Sequence, residues 1–156
     1  MRITLLILPF ALASCAEIER IAARPDTSAT PGDPPAAVVT PELAAPPPPA
    51  AAVTVEQFDT TTEEQRVAAA SVEAGGRLLG TTVASLGDPG RAGFWIETDL
   101  ASAQGRGRIV NTATGADVEV ELLPLSGDAG SRVSLAALRV LGIPLTDLPT
   151  LEVYAF

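Results

Sequence analysis

The sequence predicts a mainly β protein: a small closed barrel with one short late helix, preceded by a short helix and a disordered Pro/Ala-rich tether. Apolar residues alternate with polar ones through the last two thirds of the chain, which is typical of strands with one buried face. Turn residues separate these runs at short intervals, and a single helical stripe comes late. Because a closed barrel leaves no strand edge exposed, it is the arrangement we expect for five or so short strands.

A helix is predicted in the lead-in segment 54–76, ahead of the barrel. Thr61 and Glu64 have the spacing of a capping box with Thr61 as N-cap, and an Ala-rich run continues to Glu73. The two glycines that follow would end the helix after about three turns. Its apolar face is weak, so we expect it at the edge of the domain.

The barrel domain is predicted to span 77–156. Asp88-Pro89-Gly90 and the stretch TATGA are turns, and SGDAGS is a loop. In chain order the predicted strands are 77–86 (with a possible break at Gly80), 93–98, 107–111, 117–125 and 150–156.

Alternation assigns faces to two of these strands. Val118, Val120 and Leu122 alternate with Glu119 and Glu121, so the apolar side chains face a core and the acids face water. In the second strand, Phe94 and Ile96 share one face and Trp95 and Glu97 share the other. Ser134 caps the late helix, in which Leu135, Leu138 and Leu141 form the apolar stripe, and Gly142 closes it.

Composition excludes several functions. The formal net charge is −9, and this argues against nucleic acid as a partner, because phosphate binding needs clustered basic residues. The chain has no histidine, which removes the usual general base and the commonest metal ligand. One cysteine allows neither an internal disulfide nor a cysteine-based zinc site. We therefore expect no cofactor.

Residues 1–14 are predicted to be a signal peptide. Arg2 precedes an apolar run that is too short to span a bilayer, and small residues follow it. Leu12-Ala13-Ser14-Cys15 resembles the bacterial lipobox, which implies cleavage before Cys15 and acylation of its thiol, so that the lipid bilayer is a partner. Ala16 stands where an Asp would imply retention in the inner membrane, so the resemblance implies an outer-membrane anchor that faces the periplasm. The alternative is an ordinary secretory signal with a free thiol.

Residues 15–53 are predicted to be the lipidated N-terminus and a linker. Proline removes backbone donors and fixes φ, so we expect an extended chain with a reach on the order of 90 Å for some thirty residues. The four prolines 46–49 could alternatively bind an SH3-like groove.

Three segments in order resemble the rare-lipoprotein-A-like double-psi β-barrel family over residues 77–156. They are GTTVASLGD, GRIVNTATGADVEVEL and GSRVSLAALRVLGI. The family's motif positions correspond to Ala84 and Ser85 in the first, to Arg108, Val110, Asn111, Gly115, Val118 and Val120 in the second, and to Arg132, Ser134, Leu135, Ala136, Ala137, Leu141 and Gly142 in the third.

The resemblance implies a double-psi-like barrel and departs at the catalytic position. Lytic members of the family cleave peptidoglycan with an Asp that follows the hairpin and with an earlier His. Here the corresponding stretch is Leu123-Pro124-Leu125-Ser126-Gly127, which has no acid. Since glycoside cleavage needs a proton donor, usually a carboxylic acid, the resemblance supports the fold and argues against the activity.

Four residues are candidates for ligand contacts. Trp95 could stack on a sugar, or it could be a packed barrel residue. Glu97 and Asp128 could join Asp88 or Asp99 in a carboxylate pair, or remain solvated acids. Arg132 could hold an anion, or form a structural ion pair.

We expect a non-catalytic periplasmic lipoprotein whose barrel binds or scaffolds peptidoglycan or an envelope protein. The alternative is a divergent peptidoglycan lytic enzyme that uses an acid from another loop, such as Asp88 or Asp128.

Overall fold

Six strands and three short helices make up the described part of the chain. A computed structural model describes residues 43–72, 74–127 and 130–156. In chain order the elements are α1 (Val55–Phe58), α2 (Glu63–Ala70), β1 (Arg77–Leu86), β2 (Trp95–Thr98), β3 (Gly105–Asn111), β4 (Asp117–Pro124), β5 (Ser131–Val133), α3 (Leu135–Val140) and β6 (Thr150–Ala155).

The strands close into one barrel in the order β1-β5-β2-β4-β3-β6, with β6 paired to β1. The pairs β1–β5 and β2–β4 are parallel, and the other four pairs are antiparallel. Strand β5 lies between β1 and β2, and β2 lies between β5 and β4. If β1, β2 and β3 are exchanged with β4, β5 and β6, the same order results, read in the opposite direction around the barrel. The prediction of a mainly β chain with a small closed barrel is confirmed.

The core fills the barrel as the alternation predicts. Val118, Val120 and Leu122 are buried, while the intervening acids Glu119 and Glu121 keep partial exposure. Val133, Leu151 and Val153 complete the same interior from neighbouring strands, and α3 contributes Ala137 and Leu138. Burial of these side chains is the main stabilising contribution that we assign to the barrel.

Helix α2 begins one residue later than the sequence predicts. Thr62, and not Thr61, is the N-cap, and its capping-box partner is Gln65, whose N–H donates to the Thr62 hydroxyl at 3.2 Å. The Thr61 hydroxyl is engaged elsewhere, because it donates to Asp59 Oδ1 at 2.5 Å and accepts from Arg66 Nε at 3.1 Å. The helix ends at Ala70, with Ser71 as C-cap, so it has eight residues and is shorter than the predicted three turns.

Strand β5 lies partly in a stretch that the sequence analysis assigns to a loop. It has three residues, and it pairs with β1 on one side and β2 on the other. Its backbone groups are satisfied by these two distant strands, so local sequence carries little sign of it. The barrel therefore has six strands where the alternation alone indicates five.

The last residues of the predicted linker pack against the barrel. Leu43 is 4% exposed and belongs to the hydrophobic core, and its carbonyl oxygen accepts the Phe94 N–H at 2.9 Å. The Ala44 carbonyl oxygen accepts from Gln65 Nε2 at 2.6 Å. Gly93 has φ +87°, and a Cβ there would lie less than 3.0 Å from the Leu43 carbonyl oxygen. The packed part of the chain therefore includes Leu43, which lies ahead of the domain boundary that the sequence suggests.

Asp59 fastens the lead-in segment to α3. Its side chain is fully buried, and its Oδ2 lies 2.8 Å from Arg139 Nη1 and 3.8 Å from Arg66 Nε. Two cations and the Thr61 N–H therefore compensate the buried negative charge. The link joins residues 80 positions apart and fixes where α1 and α2 lie on the domain.

Several predictions fall on residues outside the described ranges. These are the signal peptide 1–14, the acylation site Cys15, the linker up to residue 42, the helix end at Glu73 and the candidate contact Asp128. Within the described ranges, no helix is long and apolar enough to cross a membrane.

Candidate functional site

Strands β2 and β5 bring two of the predicted contact residues together. Glu97 and Arg132 are direct cross-strand partners, and Arg132 Nη1 lies 3.6 Å from Glu97 Oε2. A third residue, Arg91, donates from Nη1 to Glu97 Oε1 at 3.1 Å. We call Arg91, Glu97 and Arg132 the guanidinium cluster. Its carboxylate side chain is 24% exposed, whereas the side chains of Arg91 and Arg132 are 41% and 48% exposed.

Trp95 lies beneath this cluster and has no exposed face. Its side chain is almost fully buried, with 2% of the residue exposed. The Arg91 guanidinium carbon lies 5.0 Å from the ring centroid, and Trp95 Nε1 donates to the Arg91 carbonyl oxygen at 3.0 Å. Of the two interpretations of Trp95, the packed barrel residue is the one that the structure supports. Its contribution to the site is to hold Arg91 in place through a cation–π contact and a backbone hydrogen bond.

The turn at residues 88–91, before β2, places Arg91 beside Glu97. The Asp88 carboxylate accepts the Gly90 N–H at 2.8 Å, and the Asp88 carbonyl oxygen accepts the Arg91 N–H at 3.1 Å. Aspartate followed by proline and glycine favours such a turn because the side chain accepts a backbone N–H two residues on. Asp88 therefore has a structural partner within its own turn.

Gly87 leaves the space that the indole ring occupies. A Cβ at this position would lie less than 3.0 Å from Cη2 and Cζ3 of Trp95, and 3.3 Å from the Arg132 Cβ. Close approach of backbone to a ring is possible here only because glycine has no side chain. Gly87, directly after β1, thus allows Trp95 to be buried under the guanidinium cluster.

The guanidinium cluster carries two positive charges and one negative charge. It is therefore locally cationic on a chain of net charge −9. Arg91 is fixed by Glu97 and Trp95, whereas Arg132 has the longer contact to Glu97 and the larger exposed fraction. Guanidinium groups suit carboxylate and phosphate geometry because they present parallel N–H donors. The arrangement can bind an anionic group at Arg132 with Arg91 beside it.

A chain of hydroxyl groups lies at the end of β2. The Ser131 hydroxyl donates to Thr98 Oγ1 at 2.9 Å, and it lies 2.8 Å from the Thr82 hydroxyl. Thr98 and Ser131 are fully buried, and Thr98 Oγ1 also accepts the Leu100 N–H at 3.3 Å. Pro124 is the cross-strand partner of Thr98 in the parallel pair β2–β4. Pro124 lies in the stretch where the resemblance implies a catalytic acid. Its partner on β2 is Thr98, whose Oγ1 lies 3.5 Å from Asp99 Oδ1.

Ser134 has a structural role and no basic partner. It is fully buried, and its hydroxyl oxygen accepts the N–H groups of Trp95 at 3.2 Å and of Ala137 at 3.3 Å. This confirms the prediction that Ser134 caps α3. Across the described ranges, no group of three or more aspartate, glutamate, cysteine or histidine side chains could hold a metal ion.

Arg91 is the site residue that sequence reasoning missed. The structure brings Glu97 and Arg132 together on one surface and places Trp95 below them, and Asp128 lies outside the described residues. The signal that could have found Arg91 is its position directly after the Asp88-Pro89-Gly90 turn and four residues before Trp95. A turn of that kind returns the chain toward the strand that follows it.

Comparison with protein-family models, with curated proteins and with solved structures finds no match. The class of protein is therefore defined by the fold and the site alone: a closed six-stranded β-barrel with mixed parallel and antiparallel pairs. The barrel carries a guanidinium cluster on its surface and a hydroxyl chain beside Pro124.

Proposed function

We propose that this chain is a lipid-anchored, non-catalytic barrel protein of the bacterial envelope, held by an acylated Cys15 and facing the periplasm. In this proposal the barrel binds an anionic envelope component through the guanidinium cluster. The linker between Cys15 and Leu43 sets the distance from the membrane, and the domain beyond Leu43 makes the contact.

The observation that carries the proposal is the composition of the surface around Pro124 and Glu97. Hydrolysis of a glycosidic bond needs a carboxylic acid that can give a proton to the leaving oxygen. The cross-strand partner of Pro124 on β2 is the buried hydroxyl residue Thr98, and both oxygens of Glu97 face guanidinium groups. Binding needs no proton donor, and exposed guanidinium groups are suited to it.

The cluster also favours one class of ligand over others. A carboxylate or phosphate group gains charge-assisted hydrogen bonds from Arg132 that a neutral ligand does not. The net charge of −9 opposes polyanions that approach at long range. Small anionic groups on a larger polymer or protein are therefore the favoured ligands, and the carboxylates of peptidoglycan peptides are of this kind.

The membrane anchor is tested by metabolic labelling with a radioactive fatty acid in cells that express the chain. We expect label on the wild-type chain and none on Cys15→Ala, together with loss of the variant from sedimented membranes. Fatty-acid label on Cys15→Ala would contradict the proposed lipid anchor. So would a wild-type chain that does not sediment with the membranes.

The binding role is tested by incubating the purified full-length chain with isolated peptidoglycan sacculi. Protein in the pellet measures binding, and sugar fragments in the supernatant measure cleavage. We expect bound protein without fragments, and we expect Arg132→Gln to lower the affinity about tenfold, the cost of one charge-assisted hydrogen bond.

Arg77→Gln is the matched control, because Arg77 is an exposed arginine on β1 that is not part of the cluster. It should bind like the wild-type chain. Released fragments would support the alternative of a divergent lytic enzyme. Absence of binding, or equal losses in Arg132→Gln and Arg77→Gln, would show that the guanidinium cluster does not contact the cell wall.

A further inference from the structure

A second surface feature is independent of the guanidinium cluster. An open cleft of about 650 Å³ lies between the turn at residues 111–114, which joins β3 to β4, and the loop 142–150, which joins α3 to β6. Clefts of 300–1,000 Å³ with a few polar groups among apolar ones are typical ligand sites.

Asn111 supplies a hydrogen-bond donor to this cleft. The residue is only 7% exposed, and its Oδ1 accepts the Ala113 N–H at 3.0 Å, which fixes the orientation of the amide. Its Nδ2 donates to no residue of the described ranges. Since no fully buried side-chain nitrogen or oxygen in those ranges lacks a partner, Nδ2 keeps contact with solvent, and Asn111 lines the cleft. A largely buried donor of this kind gains most from a ligand acceptor.

Asp147 supplies the complementary acceptor. Its backbone N–H donates to the Pro144 carbonyl oxygen at 3.0 Å, which places it in a turn of the loop. Its carboxylate is exposed and forms no ion pair with the described arginines. The cleft therefore offers one N–H donor and one anionic acceptor.

Apolar side chains complete the lining. Leu148 is 67% exposed, and Ile143 and Pro144 lie beside it in the same cleft. Together they give the cleft an apolar part beside its polar groups. A ligand with an apolar side chain would remove Leu148 from water.

The composition of the lining selects the chemistry of the ligand. Arginine is missing from the residues that line the cleft, and Asp147 is the charged residue there, so anions are disfavoured. The lining also lacks aromatic residues, so the flat apolar surface on which sugar rings pack is missing. A peptide backbone offers a carbonyl for Asn111 and an N–H for Asp147, and a basic side chain would complement the carboxylate.

We propose that this cleft binds an extended, basic peptide segment of a protein partner that carries an apolar side chain. The Asn111 amide donates to a peptide carbonyl, Asp147 accepts from a peptide N–H or from a basic side chain, and Leu148 packs on the apolar side chain. The proposal goes beyond the function given above and does not depend on it, because it uses neither Cys15 nor the guanidinium cluster.

Two conservative variants test the two polar contacts. Asn111→Ser keeps a side-chain oxygen to accept the Ala113 N–H, adds no charge and removes the amide donor. Asp147→Asn removes the charge and keeps the shape. Glu56→Gln is the matched control, because Glu56 is an exposed acid on α1 and does not line the cleft. An unchanged emission spectrum of Trp95 shows for each variant that the barrel is intact.

The experiment is selection of a random heptapeptide library, displayed on phage, against the immobilised full-length chain. We expect enriched peptides that combine Lys or Arg with Leu, Ile or Val. A synthetic peptide from the enriched set should bind about tenfold more weakly to Asn111→Ser and to Asp147→Asn, and equally well to Glu56→Gln.

Four outcomes would overturn the proposal. The first is a library without enrichment over the bare surface. The second is a set of peptides that bind both cleft variants as tightly as they bind the wild-type chain. Peptides that fail to bind only Arg132→Gln are of this kind, because they would bind at the guanidinium cluster. The third is binding of a neutral trisaccharide such as cellotriose, abolished by the cleft variants, in place of peptides. The fourth is self-association in sedimentation that Asp147→Asn abolishes, which would assign the cleft to a second copy of the chain.

Discussion

The carbonyl oxygen of Leu43 accepts the backbone N–H of Phe94 at 2.9 Å. This bond joins the end of the proline-rich segment to the residue that precedes β2, and the Leu43 side chain enters the core beside it. Leu43 is therefore part of the folded domain, next to the strand that carries Trp95.

Leu43→Ala is expected to destabilise the domain by about 2–3 kcal/mol, because it removes a buried side chain and leaves a cavity. Val53→Ala is the control, since Val53 lies in the same segment and is 82% exposed. It should change stability by less than about 0.5 kcal/mol. Urea denaturation followed through the fluorescence of Trp95, the chain's single tryptophan, measures both. Equal stability of the two variants would mean that Leu43 does not contribute to the core in solution.

Gly87→Ala is expected to cost about 1–3 kcal/mol, because the added Cβ would overlap the buried Trp95 ring. The ring must shift toward water to relieve the overlap, so its emission maximum should move to longer wavelength. Gly105→Ala provides the comparison, since a Cβ there meets no atom within 4 Å. An unshifted emission maximum in Gly87→Ala would contradict the close packing described here.

Asp59→Asn is expected to destabilise the domain by about 2 kcal/mol. The change removes the charge that pairs with Arg139 and Arg66, whereas the two partly exposed cations can turn to water. Glu63→Gln is the control, because it weakens an ion pair of Arg66 with a 74% exposed carboxylate, which is worth less than about 1 kcal/mol. Thermal unfolding measures both variants. A larger loss of stability in Glu63→Gln than in Asp59→Asn would show that Asp59 is not the acid that anchors the lead-in segment.

Tyr154 is expected to ionise at a higher pH in the folded chain than in the unfolded chain. Its hydroxyl donates to Glu152 Oε2 at 2.8 Å, and this hydrogen bond raises the pKa of Tyr154, with a smaller opposing effect from the Arg108 guanidinium. Because the folded pKa is the higher one, this contribution to stability is complete below the pKa of the unfolded tyrosine. It is lost as the pH rises through the folded pKa.

The Tyr154 prediction is read by absorbance, since the chain has one tyrosine. Titration at 295 nm should show a lower midpoint for Glu152→Gln than for the wild-type chain, and an unchanged midpoint for Glu56→Gln. Identical midpoints in the wild-type and Glu152→Gln chains would show that the hydrogen bond is absent in solution.

Local pattern predicts most of the barrel. The alternation of Val118 and Val120 with Glu119 determines which face of β4 is buried, and the structure agrees. Ser134 caps α3 as its sequence position indicates. The pattern predicts Thr61 as the cap of α2, whereas the cap is Thr62, because the Thr61 hydroxyl donates to the buried Asp59 carboxylate. Neighbouring threonines are equivalent in sequence, and only a contact with the rest of the fold separates them.

The candidate site depends more strongly on long-range contacts. Glu97 and Arg132 are 35 positions apart in the chain and become neighbours through the β2–β5 pair. That pair involves β5, whose three residues have too little local pattern to predict a strand. Arg91 lies near them because the turn before β2 places its guanidinium over the Trp95 ring. Trp95 can be buried there because Gly87 has no side chain to overlap the ring.

The sequence by itself determined the class of fold, the faces of the strands and the cap of α3, because these follow from residue type and spacing within one segment. Only the tertiary structure decided the six-stranded closure, the docking of Leu43, the burial of Trp95 and the meeting of Arg91, Glu97 and Arg132. The physical reason is that strand pairing and core packing satisfy backbone groups and apolar side chains between distant segments, and no short stretch of sequence specifies its partner.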